Sequence, residues 1–265
     1  MGTILQQQAK TQQSMLAALK VELRRLEGAG RRETAAVSIG VPAIEQGLPG
    51  GGFARGALHE IVAGEGGAAA AEGFAASLLA GLARQGPVLW CTGTGELYGP
   101  GLSRLGLTPD RLILVRARRP ADLLWAMEEG LKTPGLVAVL GEPRLLDLTA
   151  SRRLQLAAEA SGVTCLVLRR EQEEREIGSS VAVTRWRVTP VPSGPAFGDD
   201  ARDFGLARAR WRVELIRCRG ADWAAGEAGH GAWLMEEGDA SGAVPVAVPL
   251  ADRSAASAPG QRRAG

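Results

Sequence analysis

Lysine is nearly missing from this chain, and histidine, tyrosine and cysteine are scarce. Of 31 basic residues only Lys10, Lys20 and Lys132 are lysine, and 265 residues contain two histidines, one tyrosine and three cysteines. Cys91, Cys165 and Cys218 are odd in number, dispersed and set in apolar strand patterns, which excludes a disulfide framework and a zinc cluster. His59 and His230 stand too far apart to suggest a metal pair. No apolar run is long enough to cross a membrane, and the first residues lack a charged-then-apolar leader pattern, so a cytoplasmic protein is expected. The net charge of +2 and pI of 8.6 exclude a strongly basic nucleic-acid binder. The arginine bias suits recognition of carboxylate or phosphate, and a GC-rich genome produces the same bias. At 45% hydrophobic residues, the chain is long enough to bury a sizeable core.

What is present is glycine. Gln46-Gly47-Leu48-Pro49-Gly50-Gly51-Gly52-Phe53 cannot hold regular structure. A strand is expected over 57–62, then a loop of tiny residues over 63–70, a helix over 71–83 and a strand over 86–91. Phe74, Leu78, Leu79 and Leu82 recur at the helical period. Strand, glycine loop, helix and strand form the unit that usually cradles nucleoside phosphates. The cradle lacks its cation: no Lys or Arg lies between Arg55 and Arg84, and no Ser or Thr occurs there before Ser77. Glu65 and Glu72 would repel a polyphosphate. Gly64, Gly66, Gly67, Ala69 and Ala70 thus mark a degenerate phosphate loop, with no nucleotide cofactor expected. The acid that would hold Mg²⁺ at the end of the strand over 136–140 is also missing, for Gly141 stands there with Glu142 one step late. Glu96 follows the strand over 86–91, where a lone carboxylate is ordinary surface. No constellation assembles a catalytic or metal site.

Alternation continues down the chain, with a short helix near 101–105, a strand over 111–115, a helix over 120–131 and a strand over 136–140. Asp147 or Thr149 caps a helix to 160, closed by Gly162, and a strand covers 163–168. The fold class expected is α/β, a mostly parallel sheet flanked by helices. A charge run over 169–176 reads as a solvated loop. Strict alternation over 181–188 and 209–217 predicts an antiparallel edge hairpin, with Trp186 and Trp211 inward and arginines outward. Three regions follow: an amphipathic helix over 1–30, a core over 31–220, and a Gly/Ala/Pro-rich, partly disordered tail over 221–265. That tail is expected to add one short edge strand over 244–250. The N-terminal helix either packs on its own domain or serves a partner.

The outward residues Arg185, Arg187, Arg210, Arg212, Arg217 and Arg219 suit a phosphate backbone or simply form an exposed sheet face. Aromatic residues are missing from that face, which counts against single-strand stacking.

Several separated blocks carry a resemblance. They include Gly40-Val41-Pro42-Ala43-Ile44, Leu58-His59-Glu60-Ile61, Val88-Leu89-Trp90-Cys91, Leu124-Trp125-Ala126-Met127-Glu128-Glu129, Thr184-Arg185-Trp186-Arg187-Val188 and Arg210-Trp211-Arg212-Val213-Glu214-Leu215. Across residues 37–219 the chain resembles the ImuA family, RecA-like and SulA-related accessory proteins of bacterial damage-induced mutagenesis. The resemblance implies a RecA-like fold and work beside ImuB, an inactive Y-family polymerase relative, and an error-prone C-family DNA polymerase. That set performs translesion synthesis in the SOS response, with RecA a further partner and DNA an indirect one. It also implies that the recombinase's loop Lys and Thr fall on or near Ala69 and Ala70, and its strand-end Asp near Gly141. The leading expectation is a non-catalytic adaptor; the alternative is a single-stranded-DNA-binding or RecA-modulating protein using the arginine face.

Overall fold

The computed structural model describes residues 36–93, 97–170, 180–193, 208–219, 231–236 and 246–249. Contacts divide the chain into Met1–Ala35 and Ala36–Gly265. The helix expected near the N-terminus, Glu96, residues 171–176 of the charge run and the tail over 251–265 lie outside the described residues.

Two short strands, β1 (Ala36–Val37) and β2 (Phe53–Ala54), pair antiparallel around a lead-in that contains α1 (Pro42–Glu45) and a tight turn at Pro49–Gly51. The Glu45 carboxylate closes this lead-in by accepting from the amides of Ile39 and Gly40. Then come β3 (Leu58–Ala63), α2 (Ala68–Ala83), β4 (Val88–Thr92), α3 (Gly99–Arg104), β5 (Leu112–Arg116), α4 (Pro120–Lys132), β6 (Ala138–Gly141), α5 (Leu148–Ser161) and β7 (Thr164–Arg169). Four further strands finish the described chain: β8 (Thr184–Val191), β9 (Arg210–Cys218), β10 (Ala232–Glu236) and β11 (Val246–Pro249).

Nine of these strands form one sheet in the order β11-β10-β9-β8-β3-β7-β6-β4-β5. From β5 to β8 all neighbours run parallel, and β9, β10 and β11 extend the sheet antiparallel. The central strands are buried on both faces, which is why they read as continuous apolar runs. One face carries Ile61, Trp90, Leu140, Leu166, Trp186 and Val213 against α2 and the lead-in; the other carries Leu58, Leu89, Val139 and Cys165 against α4 and α5.

Helix α2 starts at Ala68, earlier than expected, because the alanines after Gly67 are the best helix formers. Phe74, Leu78, Leu79 and Leu82 are buried as expected, but so are Ala71, Ala75 and Ala76. Ile39, Val41, Ile44 and Leu48 of the lead-in belong to the same core, so α2 is sandwiched. Close approach requires its glycines: a Cβ on Gly73 would stand 2.6 Å from the Trp211 ring, and one on Gly81 2.6 Å from the Ile39 carbonyl oxygen. Asp147, not Thr149, caps α5 by accepting from the Ala150 amide at 2.7 Å, and Gly162 ends the helix at φ +78°.

The region expected as a tail contributes to the core. Its β10 joins β9, and Trp233 is 4% exposed, donates through Nε1 to the Ala43 carbonyl at 2.9 Å and lies 5.9 Å from Trp186. Strand β11, near the short edge strand expected there, ends the sheet. Among the described residues no helix is long and apolar enough to cross a membrane.

Candidate functional site

In open α/β sheets, ligands bind at the carboxyl ends of strands, where neighbouring connections leave toward opposite faces. Here β4 leads to α3 on the α2 side, while adjacent β6 leads to α5 on the opposite side. The crevice between β4 and β6, beside the start of α2, is therefore the candidate site.

The glycine loop forms one wall. Gly64 to Gly67 make a compact turn, Gly67 donating to the Gly64 carbonyl at 2.8 Å and Gly64 to the Val188 carbonyl at 2.7 Å. A Cβ at Gly64 would overlap the Thr189 hydroxyl, and one at Gly67 would stand 2.6 Å from the Val188 oxygen. These contacts press the loop against β8 and commit the Gly64 and Gly67 amides internally, where a phosphate cradle needs its amides free. Gly66 takes φ +62° in open space. Ala69 is exposed, while Ala70 belongs to the core, so neither presents a cation.

Glutamates and an arginine converge behind this loop. Gly141 faces away from α2: a Cβ there would run into the Met127 thioether of α4. The side-chain position on the α2 face is Glu142, the residue that sequence spacing put one step late, because side chains alternate along the strand. Trp90 Nε1 donates to Glu142 Oε1 at 2.6 Å, and the Thr92 hydroxyl donates to Oε2 at 3.3 Å. Arg170 donates through Nη2 to Glu142 Oε1 at 3.0 Å and pairs through Nη1 with Glu72 Oε2 at 2.7 Å. Burial raises the Glu72 pKa above its ordinary value; Arg170 opposes that rise and Glu142 adds to it.

A cation therefore does stand near the empty loop, and the same chain supplies it from the end of β7. Both carboxylates hold it. This corrects the solvated-loop reading at the start of the charge run: Arg170 is largely buried in this network, and Arg169 is 3% exposed. Arg169 pairs with Glu60 at 3.2 Å on the opposite sheet face, and Arg185 Nε pairs with the same carboxylate at 2.6 Å. Glu60 and Arg185 are register partners on β3 and β8, so the ion triad crosses three adjacent strands. Sequence spacing singled out neither Glu60 nor Arg170, since their partners are 109 and 28 or more residues away.

The outward arginines do share a face. Alternation from Arg210 and Arg212 would put Arg217 on the other side, but a bulge beside Ile216 makes Arg217 the register partner of Arg185. Carboxylates occupy much of that face: Arg210 pairs with Glu236 at 2.7 Å, Arg212 with Glu214 at 2.8 Å and Arg185 with Glu60. Arg217 donates to the Ser180 carbonyl at 2.8 Å, and burial, then Arg219 and Arg185, lower its pKa. Arg187 is half-buried, and Trp186, Trp211 and Trp233 turn inward. His59 belongs to the core, its Nδ1 2.7 Å from the Thr184 hydroxyl and its Nε2 2.9 Å from the Ala54 carbonyl. Among the described residues no group of three or more His, Cys, Asp or Glu is arranged to hold a metal.

The parallel sheet, its strand order and its glycine loop before α2 define a RecA-like protein. The same fold appears in the crystal structure of a KaiC-like protein from the archaeon Pyrococcus horikoshii, with a TM-score of 0.54 and 15% identity over 82% of this chain and 100% of that one. No family model matches the sequence. It is 38% identical over 256 residues to Protein ImuA of Caulobacter vibrioides, across 91% of this chain and the whole of that protein, with the same figures for a second strain. This chain belongs to the ImuA family.

Proposed function

We propose that this chain is a non-catalytic, RecA-like adaptor in damage-induced translesion DNA synthesis, acting in the cytoplasm with an ImuB-like Y-family polymerase homologue and an error-prone C-family polymerase. Membership in the ImuA family supports the accessory role. The observation that carries the non-catalytic reading is Arg170 bound to both Glu72 and Glu142 in the strand-end crevice. Phosphoryl transfer needs a cation free to meet the phosphates and carboxylates free to hold Mg²⁺ or orient water. Here the one cation is held by both carboxylates, and the loop offers no lysine.

Two measurements on the full chain test this. Equilibrium titration with Mg-ATP up to millimolar concentration is expected to give no saturable binding, and saturable binding would overturn the non-catalytic part. Size-exclusion chromatography with the ImuB homologue of the same genome is expected to show a complex. Two well-folded proteins that elute separately at micromolar concentration would overturn the adaptor reading.

A further inference from the structure

Arginines without a carboxylate lie at the opposite end of the sheet from the β8–β9 face. Arg116 ends β5 and Arg118 follows in the turn into α4; both are exposed. Neither pairs with an acid among the described residues, whereas neighbouring Arg119 is held by Asp122. Exposed rings accompany them. Tyr98, at the start of α3, is 72% exposed and Trp125, on α4, is 64% exposed, while Trp90, Trp186, Trp211 and Trp233 are at most 5% exposed.

These residues gather at one end of the fold. Arg116 is the register partner of Thr92, the last residue of β4, and the chain from Thr92 reaches Tyr98 in six residues. Trp125 lies five residues into α4, so at about 1.5 Å per residue it sits within about 8 Å of the helix start that follows Arg118.

We propose that this rim, built from Arg116, Arg118, Tyr98 and Trp125, binds single-stranded nucleic acid. Unpaired guanidinium groups match a phosphate backbone, and flat exposed rings accept unstacked bases without regard to sequence. The β8–β9 face offers neither: glutamates hold much of its arginine charge and its rings point inward. The rim requires no polymerase partner, so it stands or falls independently of the adaptor reading.

The test uses the full chain and a fluorescently labelled oligo-dT of about 20 nucleotides, followed by anisotropy at several salt concentrations. Binding is expected with a log–log salt slope of about −0.7 per phosphate neutralised. The variant Arg116→Ala/Arg118→Ala should flatten that slope by about 1.4. Trp125→Ala should weaken binding on the order of tenfold while keeping the slope, because stacking releases no counterions. All these side chains are exposed, so unchanged melting curves are expected to exclude misfolding. Absence of binding at low salt overturns the proposal. So does an unaltered affinity in both variants, or loss of binding in Arg210→Ala/Arg212→Ala with the rim intact. Equal affinity for poly-glutamate, marking the rim as a site for acidic protein, overturns it as well.

Discussion

The indole of Trp90 donates to Glu142 Oε1 at 2.6 Å, across the gap between β4 and β6. Trp90 is itself 0% exposed, so this hydrogen bond fixes the carboxylate at the mouth of the crevice from below while Arg170 holds it from the side.

Removing the arginine leaves two carboxylates facing each other without a counter-ion. Arg170→Ala should destabilise the fold by about 1–3 kcal/mol, less than a fully buried pair because Arg170 keeps some exposure. Combining it with Glu72→Gln should recover part of that loss. Urea denaturation of the singles and the double gives the coupling; strict additivity would mean that the network contributes nothing.

Glu72 gives the crevice a pH dependence. Its folded pKa is raised above 4.5, chiefly by burial, so the native state binds more protons than the unfolded state just above that value. Stability contributed by this group is therefore present below pH 4.5 and is lost as pH rises through the folded pKa. Glu72→Gln should flatten the stability profile across that window, and Arg170→Ala should steepen it. Melting temperatures from pH 4 to 7 check both slopes.

Gly141 stands where a nucleotide-hydrolysing relative would need an acid, and the structure gives a steric reason for glycine. Gly141→Asp should cost about 2–4 kcal/mol, since the new side chain meets the Met127 thioether in a closed core and buries a charge. Gly141→Asp paired with Met127→Ala should recover stability without creating Mg-ATP binding, because the new carboxylate would still face α4. Thermal unfolding and nucleotide titration of the pair test this.

Glu60 is 0% exposed between Arg169 and Arg185. Glu60→Gln should destabilise by about 3–5 kcal/mol, because Arg169 would remain buried without its charge partner. Arg185→Ala should cost less, since its side chain reaches solvent and Arg169 still answers the carboxylate. Chemical denaturation ranks the two, and the reverse order would remove Arg169 as the dominant partner.

Trp233 tests whether β10 belongs to the fold. Trp233→Ala should cost about 3–5 kcal/mol by emptying the space beside Trp186 and by orphaning the Ala43 carbonyl. A loss under 1 kcal/mol in denaturation would show the strand to be dispensable.

Features with local causes were legible in the sequence. Apolar runs marked the buried strands, glycine and Asp147 marked where helices stop and start, and the missing lysine marked the emptied loop, because each depends on residues within a turn or two. Alternation even assigned the arginines of β8 and the first arginines of β9 to one face. It failed where one extra residue changes parity, at the bulge beside Ile216; the step from Gly141 to Glu142 follows alternation and turns the carboxylate to the α2 face. That Arg170 answers Glu72 and Glu142, that Arg169 and Arg185 share Glu60, and that Trp233 completes the core emerge from the folded sheet. Those partners lie tens to hundreds of residues apart, and the strand order that makes them neighbours arises from closing the sheet as a whole.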